Sequence, residues 1–329
     1  MTAAHQKESF HPPIAPIALF FFKRPEITAK VLEGIREAKP AVILLIADGP
    51  RADMSGEQEL CDRTRELVLT MIDWNPTILK NFSDHNLGCR RRISSGLSWV
   101  FEQVPEAIIL EDDCVPDPTF FRYASELLER YRDNPSVGAI SGDNFQPQPM
   151  ETPHSYYFSR FFHCYGWASW RRAWSAYDDT MSKWPSLRDQ GFLRERFPKL
   201  AHSQYWAELF DAVHQRRMDT WDYPWVFALW SSNMVTITPC CNLVTNIGIG
   251  EDSTHMKDFN PSYHGLGCKP MLFPLIHPDA ITVNQEADLY SQIHVFGEAK
   301  LKSLGPRILR LWKKILKLPG RFSKDRTRQ

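Results

Sequence analysis

Apolar and polar positions alternate in blocks along the first half of the chain. "PIALFFF" (16–22), "AVILLIADG" (41–49), "TILKNF" (77–82) and "SVGAISG" (136–142) are short runs rich in aliphatic and aromatic residues. Runs of this length with little polar interruption predict strands buried on both faces. Between them lie "PEITAKVLEGIREA" (25–38), "GEQELCDRTRELVLTMI" (56–72), "GCRRRISSGLSWVFEQV" (88–104) and "PTFFRYASELLERYRDN" (118–134). Their apolar residues recur at helical spacing, and Pro25 stands where a first helical turn tolerates it. Strand-helix alternation of this kind predicts an α/β fold with a mostly parallel central sheet covered by helices. Polar sites in such sheets form at the carboxyl ends of the strands.

One strand end is chemically conspicuous. In "EAIILEDDCVPDPTFF" (106–121), four apolar residues run straight into Glu111, Asp112 and Asp113. Adjacent carboxylates raise each other's pKa, so a fold that holds three together needs a compensating cation. A solvated turn is the ordinary reading of an acid triplet. A carboxylate pair for hydrolysis is excluded, because neighbouring residues point in different directions and cannot flank one bond. A site for Mg²⁺ or Mn²⁺, completed by phosphate oxygens and water, suits hard oxygen ligands with no His or Cys beside them. Asp48 closes another strand in the same way.

The second half loses the alternation. Most of the tryptophans fall within 156–235, notably in "CYGWASWRRAW" (164–174) and "TWDYPWVFALW" (220–230). "TNIGIGEDSTH" (245–255) has the glycine and polar content of a loop, and from Gly265 the chain is proline-punctuated and irregular.

Composition changes this picture in two places. The 39 basic and 39 acidic residues cancel, so no global basic field points to nucleic acid. Yet Lys300–Gln329 holds eleven Lys/Arg and one acid, leaving 28 basic and 38 acidic groups elsewhere, a net of −10. In 301–322, Ile308, Leu311, Trp312, Ile315 and Leu318 recur near helical spacing among Arg307, Arg310, Lys313, Lys314 and Lys317. Such a helix either lies on an anionic membrane surface or docks on the body by its apolar stripe. Seven cysteines without C-x-x-C spacing, the polar start Met1–His11 and no run of 18 apolar residues point to a reduced, cytoplasmic protein, with peripheral contact at the inner membrane face as the tail's implication.

"LFFFKRPE", "LIADGP", "NLGCRRRISSGLSWVF", the stretch from "AIILEDD" to "GAISG", and "GWASW" together resemble nucleotide-sugar glycosyltransferases of GT-A fold. The likeness is to the N-acetylglucosaminyltransferases that start complex N-glycan branching and to bacterial family-2-like enzymes. It runs from about residue 16 to 258. The resemblance implies a glycosyltransferase domain over 16–264, with a nucleotide half (16–142) and an acceptor half (143–264). An N-terminal arm (1–15) and a C-terminal extension (265–329) flank it. It also implies that Asp113 binds the metal, with Glu111, Asp112, Asp48, Arg24, Arg91 and Arg92 around the nucleotide of a UDP-sugar.

An inverting transfer to a glycan or glycolipid hydroxyl needs a carboxylate to take the proton. Asp222 is the candidate, with Asp219 behind it. Gly166, Trp167 and Trp221 are candidates for shaping the sugar and acceptor pockets, although core packing is the default for tryptophan. Gly248, Gly250 and His255 lie on a candidate lid. Two rival readings stand. A sugar-phosphate nucleotidyltransferase shares the sheet, but "FFFKRPEI" lacks the glycines of its triphosphate loop. A non-catalytic carbohydrate-binding or toxin-like protein explains the tryptophans and the tail but leaves Asp48, Arg24 and the acid triplet without a role.

Overall fold

A computed structural model describes residues 12–147, 150, 152–248 and 266–296. Every block of the first-half pattern is an element. In order they are β1 (Ile17–Phe21), α1 (Pro25–Ala38), β2 (Val42–Ala47), α2 (Glu57–Met71), β3 (Thr77–Phe82), α3 (Cys89–Gln103), β4 (Glu106–Glu111), the short β5 (Cys114–Pro116), α4 (Thr119–Arg130) and β6 (Val137–Ser141). Helix α1 shows the local logic. Pro25 opens it, Thr28, Val31, Leu32 and Ile35 form its buried stripe, and Lys39 ends it in a left-handed conformation with its N–H on the Ile35 carbonyl.

The eight-stranded sheet has the order β3-β2-β1-β4-β8-β6-β9-β7. Strands β3, β2, β1 and β4 are parallel neighbours, with Phe20 beside Glu111 in the register. Helices cover both faces: Leu97 and Val100 of α3 pack against Phe20 and Ile46, while Val31 of α1 and Leu127 of α4 pack against Leu19 and Ile108. The architecture is therefore the expected α/β one, with a mostly parallel sheet.

The second half joins the same sheet. Strands β7 (Tyr156–Ser159), β8 (Trp167–Trp170) and β9 (Val235–Pro239) belong to it, and β8 inserts antiparallel between β4 and β6. All four residues of β8 are buried, and its two tryptophans point to opposite faces, Trp167 into one core and Trp170 into the other. Helices α5 (Arg171–Trp174), α6 (Trp184–Asp189), α7 (Phe192–Arg196), α8 (Leu200–His214) and α9 (Asp222–Ser231) enclose an aromatic core that includes Trp206 and Trp230, whose rings are 4.6 Å apart. Strand β10 (Val244–Asn246) pairs antiparallel with β5. A last helix, α10 (Gln285–Tyr290), runs into a π-helical turn (Ser291–Phe296) that packs Phe296 on Phe161.

All seven cysteines are unpaired. Among the described residues, no helix is long and apolar enough to cross a membrane. The basic segment 301–322 lies outside the described residues.

Candidate active site

Glu111, Asp112 and Asp113 meet Arg24, Asn246 and Gly248 at the carboxyl edge of the parallel strands. The charge problem at the end of β4 is answered within the chain. Arg24, just past β1, pairs with both oxygens of Asp112 and places Nη2 2.9 Å from Asp113 Oδ2. Burial works against this guanidinium, but Asp112 and then Asp113 outweigh it and hold it protonated. Among the described residues, Glu111 has no such partner. Burial, then the charges of Asp113 and Asp112, push its carboxyl up to about 8, with Asp222 adding to the effect. Asp222 at the start of α9 therefore faces the same electrostatic pocket as the triplet.

The β5–β10 ribbon roofs this edge. Because Asn246 pairs with Cys114 in the register, its Nδ2 reaches Asp113 Oδ1 at 3.1 Å, and the Ile247 N–H donates to the Asp113 carbonyl. The next residue must be glycine for steric reasons: a Cβ on Gly248 would stand 1.9 Å from Asp113 Oδ2. The backbone thus passes close against Asp113, whose side chain stays 15% exposed; a hard divalent ion is commonly held by one such protein oxygen and completed by phosphates and water. Among the described residues no three His, Cys, Asp or Glu side chains converge into a ready-made metal cage. Asp113 is the acid of the triplet that both Arg24 and the β10 end contact.

Asp48 is placed differently. Oδ1 accepts from the Gly49 and Leu87 amides, both at 2.9 Å, and Oδ2 from Asn86 Nδ2 at 3.0 Å and the Gly88 amide at 3.2 Å. A carboxylate offers about four acceptor positions, so none remains for a base. The expected direct contact is corrected to a scaffolding one: Asp48 ties the end of β2 to the loop that opens α3. Arg92 is likewise internal, donating to the Asn81 side-chain oxygen at 2.9 Å and to its carbonyl. Arg90 is buried against Asp179, with Nη1 3.8 Å from Asp219. Only Arg91 of the three points outward.

Asp222 begins α9 and accepts hydrogen bonds from the Thr220 hydroxyl and, at 2.9 Å, from the Tyr223 amide. Trp167 and Trp221 stack on each other inside the core, 1% and 5% exposed, so a sugar ring has no open face on either. Their expected sugar contacts are corrected to core packing, the reading that bulk and burial favour. Gly166 adopts φ +66°, and a Cβ there would stand 2.7 Å from Val244. Its glycine serves the close approach of β10 rather than of a ligand. Gly250 and His255 lie outside the described residues.

Sequence reasoning missed Asp143. It stands two residues after the last residue of β6, so a strand-end signal was present in "SGD". It is fully buried, and burial raises its pKa well above the carboxylate range. Oδ2 accepts from the Tyr165 amide at 3.3 Å, and Oδ1 has no partner among the described residues. Its carboxyl braces the turn leading into β8.

No protein-family model matches the chain, and no curated protein does. Among solved structures, it is similar to a mannosyltransferase from Pyrobaculum calidifontis in complex with GDP-Man and Mn²⁺, at 13% identity and TM-score 0.31, over 49% of this chain and 45% of that one. The match thus spans less than half of the mannosyltransferase. It is also similar to the inositol-1-phosphate CTP transferase of T. maritima, at 11% identity and TM-score 0.38, over 79% of this chain and 100% of that one. Mouse xyloside xylosyltransferase 1 matches at 11% identity and TM-score 0.28, over 65% and 81% of the two chains.

Proposed function

We propose that this chain is a metal-dependent, inverting glycosyltransferase of GT-A type. It would move a sugar from a nucleotide-diphosphate donor, a UDP-sugar, to a hydroxyl of a glycan or glycolipid. One observation carries the reading: a cationic arginine, a shielded but partly exposed carboxylate and a second carboxylate on a separate helix lie in one electrostatic pocket. In this reading Asp113 holds Mn²⁺ or Mg²⁺, which when bound neutralises the leaving diphosphate. Arg24 sets the Asp112 and Asp113 carboxylates and adds positive charge beside the phosphates. Asp48 and Arg92 shape the nucleotide pocket from behind, and Gly248 lets the roof pass over the donor. Asp222 takes the acceptor proton, on a carboxylate aimed by Thr220 and the Tyr223 amide. The nucleotidyltransferase alternative is disfavoured further by Lys23, which is committed to Glu57 at 2.7 Å and not free to grip a triphosphate.

The test is thermal stabilisation by UDP with and without Mn²⁺. At about a hundred times its dissociation constant the ligand adds roughly 2.7 kcal/mol, a shift of several degrees. The shift should need metal and disappear in Asp113→Asn. In Asp222→Asn it should survive while sugar transfer is lost. A protein that no nucleotide stabilises would overturn the reading in favour of non-catalytic carbohydrate binding.

A further inference from the structure

The outer face of α3 borders a cleft of about 560 Å³ outside the strand-edge site. This is within the roughly 300–1,000 Å³ usual for small-ligand sites. Arg91, Ser94, Ser95 and Ser98 form one wall and the turn from Tyr177 to Asp179 the other. Helical spacing puts the four on one face, and at 1.5 Å per residue the wall is about 10 Å long.

The polar groups in this cleft are not equivalent. Ser94, Ser95 and Ser98 donate their protons to the Arg90, Arg92 and Ser94 carbonyls at 2.8, 3.3 and 3.0 Å. Ser98 already accepts from Trp174 Nε1 at 3.1 Å and Ser94 meets the Tyr177 hydroxyl, so what remains on each is at most one or two acceptor lone pairs. Both carboxylates opposite are occupied. Asp178 takes the Thr180 and Ser182 amides, and Asp179 lies between Arg90 and Arg216. Tyr177 is fixed as a rigid wall by stacking on Trp174, with ring centroids 4.2 Å apart, and by its hydroxyl donating to the Trp221 carbonyl. Arg91 is exposed and, among the described residues, pairs with nothing. The uncommitted chemistry is therefore one cation beside a row of acceptors, which suits an anion carrying hydroxyl groups.

The cleft also adjoins the reacting edge. Arg90 passes between them, bonded to the cleft residue Asp179 on one side and 3.8 Å from Asp219 on the other. Asp219 lies three residues before Asp222. Cys89, one residue before Arg90, feels the charges of Glu111, Asp222, Asp219 and Asp113.

We infer that this cleft seats the acceptor, and that the acceptor is a saccharide carrying a carboxylate or phosphate, its anion on Arg91, in place of the nucleotide contact the resemblance implied for that residue, and its hydroxyls on the serines. The inference rests on the glycosyl-transfer reading above and adds the acceptor's chemical class. The full-length protein is titrated with glucuronic acid, glucose 6-phosphate and glucose, and dissociation constants are read by saturation-transfer NMR. At least one acidic probe should bind roughly tenfold tighter than glucose, as a guanidinium–anion contact provides. Which acid is preferred separates a carboxylate from a phosphate source. Arg91→Gln should abolish the preference. Ser95→Trp, which fills the cleft, should abolish binding of all three sugars while keeping the UDP-induced thermal shift. Equal or absent binding of the probes, or a preference that survives Arg91→Gln, overturns the cleft assignment. If wild type shows no nucleotide shift, the donor reading fails, and with it the acceptor role, even where acid binding persists.

Discussion

Two strand ends of the same sheet hold carboxylates in opposite ways. At the end of β2, one acid, Asp48, receives four neutral donors, three of them backbone amides. At the end of β4, two of three acids share one guanidinium, and burial with their charges pushes the Glu111 carboxyl up to about 8. The first arrangement is saturated and closed, which suits a scaffold. The second is charged, partly open and able to exchange partners, which suits a site that takes in a cation and an anionic ligand in turn. The same residue type at the same topological position thus serves two purposes, decided by what the rest of the fold brings to it.

The contrast can be broken most severely at Arg24. Arg24→Met leaves Asp112 buried without its cation and should cost about 3–5 kcal/mol in urea unfolding. Adding Asp112→Asn should recover most of that loss, since the damage comes from the uncompensated charge. A double variant no more stable than Arg24→Met would mean that the guanidinium acts by packing.

Next in size is a pH effect confined to the β4 end. Folded Glu111 keeps its proton up to about 8 because burial and the adjacent Asp113 and Asp112 disfavour its charge, whereas the unfolded group releases it near 4.5. The native state then binds more protons than the unfolded one between those values, so this group's contribution falls as pH rises through that window. Measured in EDTA, wild type should lose stability relative to Glu111→Gln between pH 4.5 and 8. Parallel curves for the two proteins would remove Glu111 from the account.

At the β2 end, Asp48→Asn turns an NH₂ group toward amide donors and should cost about 1–3 kcal/mol. UDP should still stabilise the folded variant, because Asp48 has no free lone pair for the ligand. Loss of nucleotide binding with stability unchanged would restore a direct contact. The smallest effect expected is that of Gly248→Ala, about 1–2 kcal/mol from crowding Asp113. Its main readout is a weaker metal-dependent nucleotide shift, which Asp48→Asn should not show.

The regular part of the fold was legible because its signals are local. Buried parallel strands are apolar throughout, the helices between them carry their stripe within four residues, and acids after a strand mark its carboxyl end. The aromatic half was not legible as sheet. β8 is four residues long and antiparallel between strands distant in sequence, so nothing in "WASW" distinguishes a central strand from a core loop. The tryptophans looked able to stack on sugars because composition does not record exposure. Asp143 was passed over although it too carries a strand-end signal.

By itself, the sequence determined the alternation of elements, the parallel sheet and the gathering of acids at its carboxyl edge, since each follows from periodicity over a few residues. Only the tertiary structure decided what neutralises those acids and which are free to act. The partner of Asp112 lies 88 positions away, and the donors to Asp48 from the loop before α3 lie 38 to 40 positions away. Electrostatic compensation and hydrogen-bond saturation depend on distances of a few ångströms between residues that only the folded chain brings together.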